Sequence, residues 1–276
     1  MPDALVWPGL VLLGVLVGTY GTLIGAGGGF ILAPFLLLLY PDFAPEIVTS
    51  ISLGVVLVNA SSGSVAYARQ KRIDYLAGSL FAALTLPGAI LGALATGLIP
   101  RTTFETAFAV LLLLLALWLL LPTPARIVTT PPPRRYLRRR LTDAQQNTFA
   151  YSFDPYVGGG LGLIIGFLSS LFGVGGGIVF VPVAVLLLRI PVYIATATST
   201  FALVFTAGVG VVTHLVLGHY GSVLAEELSL ALGVLAGAQV GARLSLRLAQ
   251  RQAIVQRLLS PALAIVGARL LVGAWL

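Results

Sequence analysis

Apolar residues run through this chain in long blocks, without the alternating or one-sided patterns of a fold that faces water. The blocks at 5–24, 46–68, 75–98 and 103–121 lie near or above the roughly 20 residues a helix needs to cross a bilayer. Blocks at 155–172, 192–217, 224–248 and 254–276 repeat the pattern in the second half. Between the first two blocks of each half lies a shorter apolar run, 30–40 and 178–188. At 1.5 Å per residue, a run of that length spans only about 17 Å as helix, roughly half the hydrocarbon layer. The second and seventh segments therefore read as half-helices. No block shows the period-two alternation of a barrel strand. The expected fold class is an all-α polytopic membrane protein of about ten hydrophobic segments.

A glycine knot precedes each short run. Gly25-Ala26-Gly27-Gly28-Gly29 is followed after five residues by Pro34, and Gly173-Val174-Gly175-Gly176-Gly177 after five residues by Pro182. Glycine disfavours a helix interior by about 1 kcal/mol relative to alanine, so consecutive glycines favour a break over a packing groove. The spacing also resembles a dinucleotide fingerprint, but no βαβ pattern surrounds either knot. Two further stretches match between halves: Val48-Thr49-Ser50-Ile51 with Ala197-Thr198-Ser199-Thr200, and Gly88-Ala89-Ile90-Leu91-Gly92-Ala93 with Gly237-Ala238-Gln239-Val240-Gly241-Ala242. Each half then contains five segments. Because five is odd, two copies joined by one linker cross the membrane in opposite senses, which is an inverted repeat. The expected units are a first repeat at 1–121, a linker at 122–154 and a second repeat at 155–276.

Composition strengthens the membrane reading: 9% charged residues and a mean hydropathy of +1.02 contrast with the about 25% charge of soluble domains. A net charge of +7 raises nucleic acid as a partner, but the excess is local. Arg126, Arg134, Arg135, Arg138, Arg139 and Arg140 all fall in the linker, which reads as positive-inside anchoring rather than a nucleic-acid surface. With the linker cytoplasmic, five crossings per half put Arg69, Lys71, Arg72, Arg189, Arg247, Arg251 and Arg257 on the same side. Of the sixteen basic residues only Arg101 then falls in an outer loop, and Arg269 lies within the last helix. Parallel repeats would make the loops at Arg69-Gln70-Lys71-Arg72 and Gly218-His219-Tyr220 equivalent, yet only the first is strongly basic. The start, with Asp3 and no basic residue before Pro8, does not resemble a cleavable signal peptide. Cysteine is absent, which removes disulfides and thiolate chemistry.

Paired broken helices at matching positions mark a transport site, because they expose backbone N–H groups near the midplane. Those donors and the positive helix end favour an anion. Thr49, Ser52, Asn59 and Gly63 share one side of the third segment, and Ser199, Thr206 and Thr213 recur every seven residues in the eighth. Hydroxyls and one amide can donate to an oxyanion without burying a countercharge, although membrane Ser and Thr also bond to backbone carbonyls. Few ionisable groups fall inside segments: His214, Glu226, Glu227, Arg243 and Arg269. No carboxylate takes a clear midplane position, and with two histidines and no Gly-x-Ser-x-Gly elbow neither metal nor enzyme chemistry is expected. No cofactor is expected either.

The duplicated Gly-x-Gly-Gly-Gly knot, the following proline, the Thr-Ser pair and the later Gly-Ala-x-x-Gly resemble the TauE/SafE sulfite exporter family over both halves but not over the linker. The resemblance implies a bacterial or archaeal inner-membrane permease for small anions such as sulfite or sulfonates. Gly208 stands where the first half has Asn59, and Gln239 where it has Ile90, so the expected site is not symmetric. The expected anion site comprises Gly27, Gly28, Gly29, Thr49, Ser50, Asn59, Gly175, Gly176, Gly177, Thr198 and Ser199, with Gln239 and Arg243 as outer members. The partners are a small anionic substrate and the lipid bilayer, and a homo-oligomer is compatible with the pattern. Two other readings are an anion channel and a membrane scaffold or sensor docking through the arginine linker.

Overall fold

The computed structural model describes residues 6–120, 136–220, 224–248 and 252–275. Ten helices follow one another: α1 (Val6–Ile24), α2 (Gly29–Leu39), α3 (Pro45–Arg69), α4 (Tyr75–Thr96), α5 (Arg101–Leu120), α6 (Pro155–Leu171), α7 (Gly177–Leu186), α8 (Val192–Val216), α9 (Leu224–Arg247) and α10 (Gln252–Gly273). Six of them, α1, α3, α4, α5, α8 and α9, are long and apolar enough to cross a membrane. Long apolar side chains such as Leu16, Leu117 and Leu232 point outward, as a lipid-facing surface requires. The chain is a multi-pass membrane protein.

Starts and stops follow local chemistry. Asp74 caps α4 by accepting from the N–H of Leu76 and Ala77, both at 3.1 Å, and Asp154 caps α6 through Tyr156 N at 3.0 Å. Pro45 and Pro155 occupy first-turn positions, where a missing N–H is harmless. Arg101, expected in an outer loop, begins α5 and has a structural task. Arg101 bonds to Glu105 and to the carbonyls of Leu37, Pro41 and Phe43, satisfying the carboxyl end of α2.

Helices pair across the halves: α1 with α9, α4 with α6, α3 with α8 and α5 with α10. The first two pairs are glycine seams. A Cβ at Gly14 or Gly18 would strike the carbonyls of Leu230 and Val234, and one at Gly233, Gly237 or Gly241 those of Val11, Val15 and Thr19. Gly88 and Gly92 likewise lie against Leu163 O and Phe167 O, and Gly166 against Thr85 O. Backbone meets backbone, the usual route to tight helix association in lipid.

The linker is more than a run of charge. Residues 126, 134 and 135 lie outside the described residues, but β1 (Leu137–Thr142) and β2 (Thr148–Phe153) form an antiparallel hairpin, with Leu137 opposite Phe153 and Thr142 opposite Thr148. Arg138 and Arg140 are exposed, while Arg139, on the alternate face, grips Asp74 with Nε at 2.8 Å and Nη2 at 2.7 Å. Tyr151 Oη donates to the same carboxylate at 2.5 Å. Burial would raise the Asp74 carboxyl, but these bonds and the Ala77 amide hold it below the usual carboxylate range. Phe153 is buried against Phe81, with ring centroids 5.7 Å apart, and Phe149 stacks on Tyr193 at 5.3 Å.

Candidate functional site

Both knots break the chain in the same way. Gly25, Gly27 and Gly28 have φ of 81°, 77° and 85°, and Gly173, Gly175 and Gly176 have φ of 66°, 80° and 71°. Only glycine adopts this left-handed backbone without strain. Gly28 and Gly176 then start α2 and α7 with no side-chain cap; in the first turns Ile31 N bonds back to Gly28 O, Gly177 N to Gly175 O and Val179 N to Gly176 O. The breaks face each other: a Cβ on Gly29 would fall on Gly173 O, and one on Gly177 on Gly25 O.

Two serines hold this crossing. Ser52 Oγ on α3 donates to Gly173 O at 2.6 Å, and Ser199 Oγ on α8 donates to Gly25 O at 2.7 Å. Each half thus binds the other half's knot. These bonds correct the register read from sequence. Thr49 Oγ1 bonds Pro45 O at 2.5 Å just as Thr196 Oγ1 bonds Val192 O at 2.9 Å, so Thr49 matches Thr196 and Ser52 matches Ser199. The Thr-Ser dipeptide match is offset by two residues from this register, and the counterpart of Asn59 is Thr206, not Gly208. Spacing to the knots does not decide between the registers, since Thr49 lies 24 residues after Gly25 while Thr198 and Thr196 lie 25 and 23 after Gly173; the contacts do.

The expected residues divide accordingly. Asn59 and Ser199 stand beside the knots. Asn59 Oδ1 accepts from Thr22 Oγ1 at 2.8 Å, and its Nδ2 is buried without an acceptor. Gly27 and Gly175 pack on Val56. Thr49 touches Gly173 with its Cα and methyl, but its hydroxyl serves its own helix. Ser50 Oγ also stays local, donating to Ile47 O at 2.8 Å. Thr198 Oγ1 accepts from Asp74 N at 3.1 Å, toward the hairpin. Gln239 donates to Ser62, and Arg243 is exposed, so neither reaches the knots.

Four residues outside the expected site complete it. A cavity of about 10 Å³, the space one water needs, lies over the second knot, lined by Thr85, Gly175, Gly176, Ser199 and Thr206 against Phe180 and Leu203. Thr85 and Thr206 hydroxyls lie 2.7 Å apart. Ser169 and Ser170, at the end of α6, are buried with hydroxyls that lack partners. Ser169 lies beside Gly176, where an added Cβ would sit 3.1 Å from its Oγ. Ser169 and Ser170 end two residues before the knot, a signal available in the sequence; Thr85 is brought in only by packing of α4 on α6. Among the described residues, no charged side chain lines the cavity.

Of the ionisable groups elsewhere in the membrane, two sit beside other side chains. His214 is not solitary, since its Nδ1 lies 2.8 Å from His219 Nδ1. The Glu227 carboxyl fills the notch left by the missing side chain of Gly54, close to Tyr220, whose hydroxyl donates to Ser50 O at 2.7 Å. The Glu226 side chain lies outside the described residues. Arg269 is exposed on α10.

A polytopic helical membrane protein with two facing helix breaks and a small uncharged cavity over one of them has the architecture of a membrane transporter. The family model described as Sulfite exporter TauE/SafE matches residues 10–270, and the chain belongs to that family. It is 33% identical over 225 residues to the probable membrane transporter protein YunE of Bacillus subtilis, covering 79% of this chain and 82% of that protein. It is 27% identical over 216 residues to a probable membrane transporter protein of Methanocaldococcus jannaschii, covering 76% and 73%. A probable membrane transporter protein of Xylella fastidiosa is 26% identical over 189 residues, covering 68% and 66%. No solved structure matches the chain at comparable significance.

Proposed function

We propose that this transporter exports a small anionic sulfur compound, such as sulfite or a sulfonate of the sulfoacetate kind, across a bacterial or archaeal inner membrane by alternating access. The observation that carries the reading is the pair of facing breaks whose carbonyls are engaged by Ser52 and Ser199 while buried donors, Asn59 Nδ2, Ser169 Oγ and Ser170 Oγ, have no acceptor. Buried donors without partners are rare and point to an absent acceptor. An oxyanion supplies several acceptor atoms at once and is favoured at helix N-termini. The family name supports sulfite within that class.

The cavity is too small for sulfite as it stands, so the knots part when substrate enters, consistent with a closed state between two open ones. The repeats are 1–121 and 155–276, related by inversion, with the hairpin linker cytoplasmic. The matched bonds of Ser52 with Ser199 and of Thr49 with Thr196 support that relation. Proteoliposome flux measured with sulfite, sulfate, sulfoacetate, thiosulfate and carboxylates tests the proposal. Saturable flux with counterflow, selective for one of the sulfur anions, is expected. Flux that never saturates and shows no counterflow would instead identify a channel.

A further inference from the structure

Arg72 lies in the connection between α3 and α4 and is fully buried. Its guanidinium is layered between two rings, 3.6 Å from the Tyr193 centroid and 4.6 Å from that of Tyr67. Nη1 donates to Gln70 Oε1 at 3.0 Å and Ser245 Oγ at 3.2 Å, and Nη2 donates to Tyr193 O at 2.8 Å. Every acceptor is neutral, and Nε is buried with none at all. Among the described residues the ion pairs are Arg101 with Glu105 and Arg139 with Asp74, so Arg72 has no carboxylate partner.

The contrast with Arg139 is informative. Both arginines come from the basic face, but Arg139 is neutralised by Asp74 and only partly buried, whereas Arg72 is enclosed with its charge unmatched. A buried charge needs pairing, and stacking on two aromatic faces compensates only in part. Asp143, in the hairpin turn, acts on Arg72 through space and accepts from Tyr193 Oη at 3.3 Å, but does not bond to it. The turn covers the site, with Ala144 N donating to Gln70 O at 3.0 Å. Below, Tyr67 Oη donates at 2.6 Å to Thr22 O, the carbonyl that also accepts the first knot's Gly25 N–H at 3.1 Å. Arg72 therefore lies between the hairpin and the first knot, one aromatic side chain from each.

We propose that Arg72 is an anion-binding station between the basic face and the knots, taking a small oxyanion on its free Nε and an adjacent Nη once the turn at 143–147 lifts. A guanidinium edge offers two parallel donors that match the oxygens of a sulfite, sulfonate or carboxylate. The station deepens the anion-transporter reading and rests on it. The uncharged cavity at the knots then receives an anion already stripped of part of its water.

The test is thermal unfolding of the purified full-length protein in detergent, titrated with sodium sulfite, sulfate or acetate at constant ionic strength, alongside sulfite flux in proteoliposomes. The wild-type protein is expected to be stabilised by sulfite. Arg72→Lys keeps the charge but not the fork, and its sulfite affinity is expected to fall at least about tenfold. Asp143→Asn removes the one carboxylate acting on the station, and its affinity is expected to rise about threefold at low salt. Thr206→Val, altering only the knot cavity, is expected to slow flux while keeping Arg72-dependent stabilisation. A folded Arg72→Lys protein with wild-type sulfite affinity overturns the station, and so does an unchanged affinity in Asp143→Asn. Arg72-dependent stabilisation in a wild-type protein that carries no sulfite upholds the station and sinks the transport reading instead.

Discussion

The two knots share a backbone but not a lining. Around the second, Thr85 and Thr206 face a small cavity and Ser169 and Ser170 add unpartnered hydroxyls. Around the first, the matching positions hold Val234 and Asn59, and a Cβ on Gly28 would meet the side chain of Val17 at 2.6 Å. The two helix ends are alike in backbone, but their side chains differ: one is lined by hydroxyls and the other by a valine and an amide. A symmetric backbone therefore does not imply a symmetric lining.

The strongest test of that comparison closes each knot in turn. Gly28→Leu and Gly176→Leu are both expected to abolish flux while membrane insertion, followed by size-exclusion and yield, is kept, because both positions need left-handed backbone. Normal flux in either variant breaks the facing-break reading. Next in size is the exchange of linings. Thr206→Val and Thr85→Val are each expected to raise KM about tenfold, the equivalent of one lost hydrogen bond of about 1.4 kcal/mol. Val234→Thr, at the first knot, is expected to move KM by less than about threefold. Equal effects on both sides would erase the asymmetry.

A third test addresses the hairpin, which covers only one face. The Asp74 carboxyl is held below its ordinary range when folded, so its contribution is present above the unfolded value and disappears as pH falls through the lowered one. Amide protection in β1 and β2, corrected for intrinsic exchange, is expected to stay level from pH 8 to about 4 and to drop only below that. Asp74→Asn is expected to lower protection above about pH 4, where the carboxylate is charged, and to flatten this dependence. The smallest effects belong to Ser50→Ala and Thr198→Val, whose hydroxyls do not face the knots; flux is expected within about twofold of wild type. Ser52→Ala, by contrast, frees a knot carbonyl and is expected to impair flux more than either, which separates the two registers.

Segment positions were legible in the sequence because bilayer thickness and backbone pairing constrain them strongly. The block read at 5–24 is α1 at Val6–Ile24, and the two short runs are α2 and α7. The knots were legible for a similar reason, since glycine is required where they turn. What escaped depends on contacts between distant residues. Arg72 is buried by Tyr193 and Ser245, more than a hundred positions away, and reads in isolation as one more basic residue of a loop. The hairpin did carry a local signal, with Phe149, Tyr151 and Phe153 alternating, but the neighbouring arginines drew the reading toward topology. Thr85 joined the cavity through the α4 to α6 seam, and no pattern within α4 marks it.

Those seams have a mechanical consequence. Where α1 meets α9 and α4 meets α6, main chain touches main chain at the glycines of both helices, leaving little space to tilt into. Each pair behaves as a single plank made from one strip of either half of the gene product. If transport proceeds by the alternating access proposed above, the bodies that move are cross-half planks rather than the two repeats, and a crosslink within either seam is expected to be silent where one between planks arrests turnover.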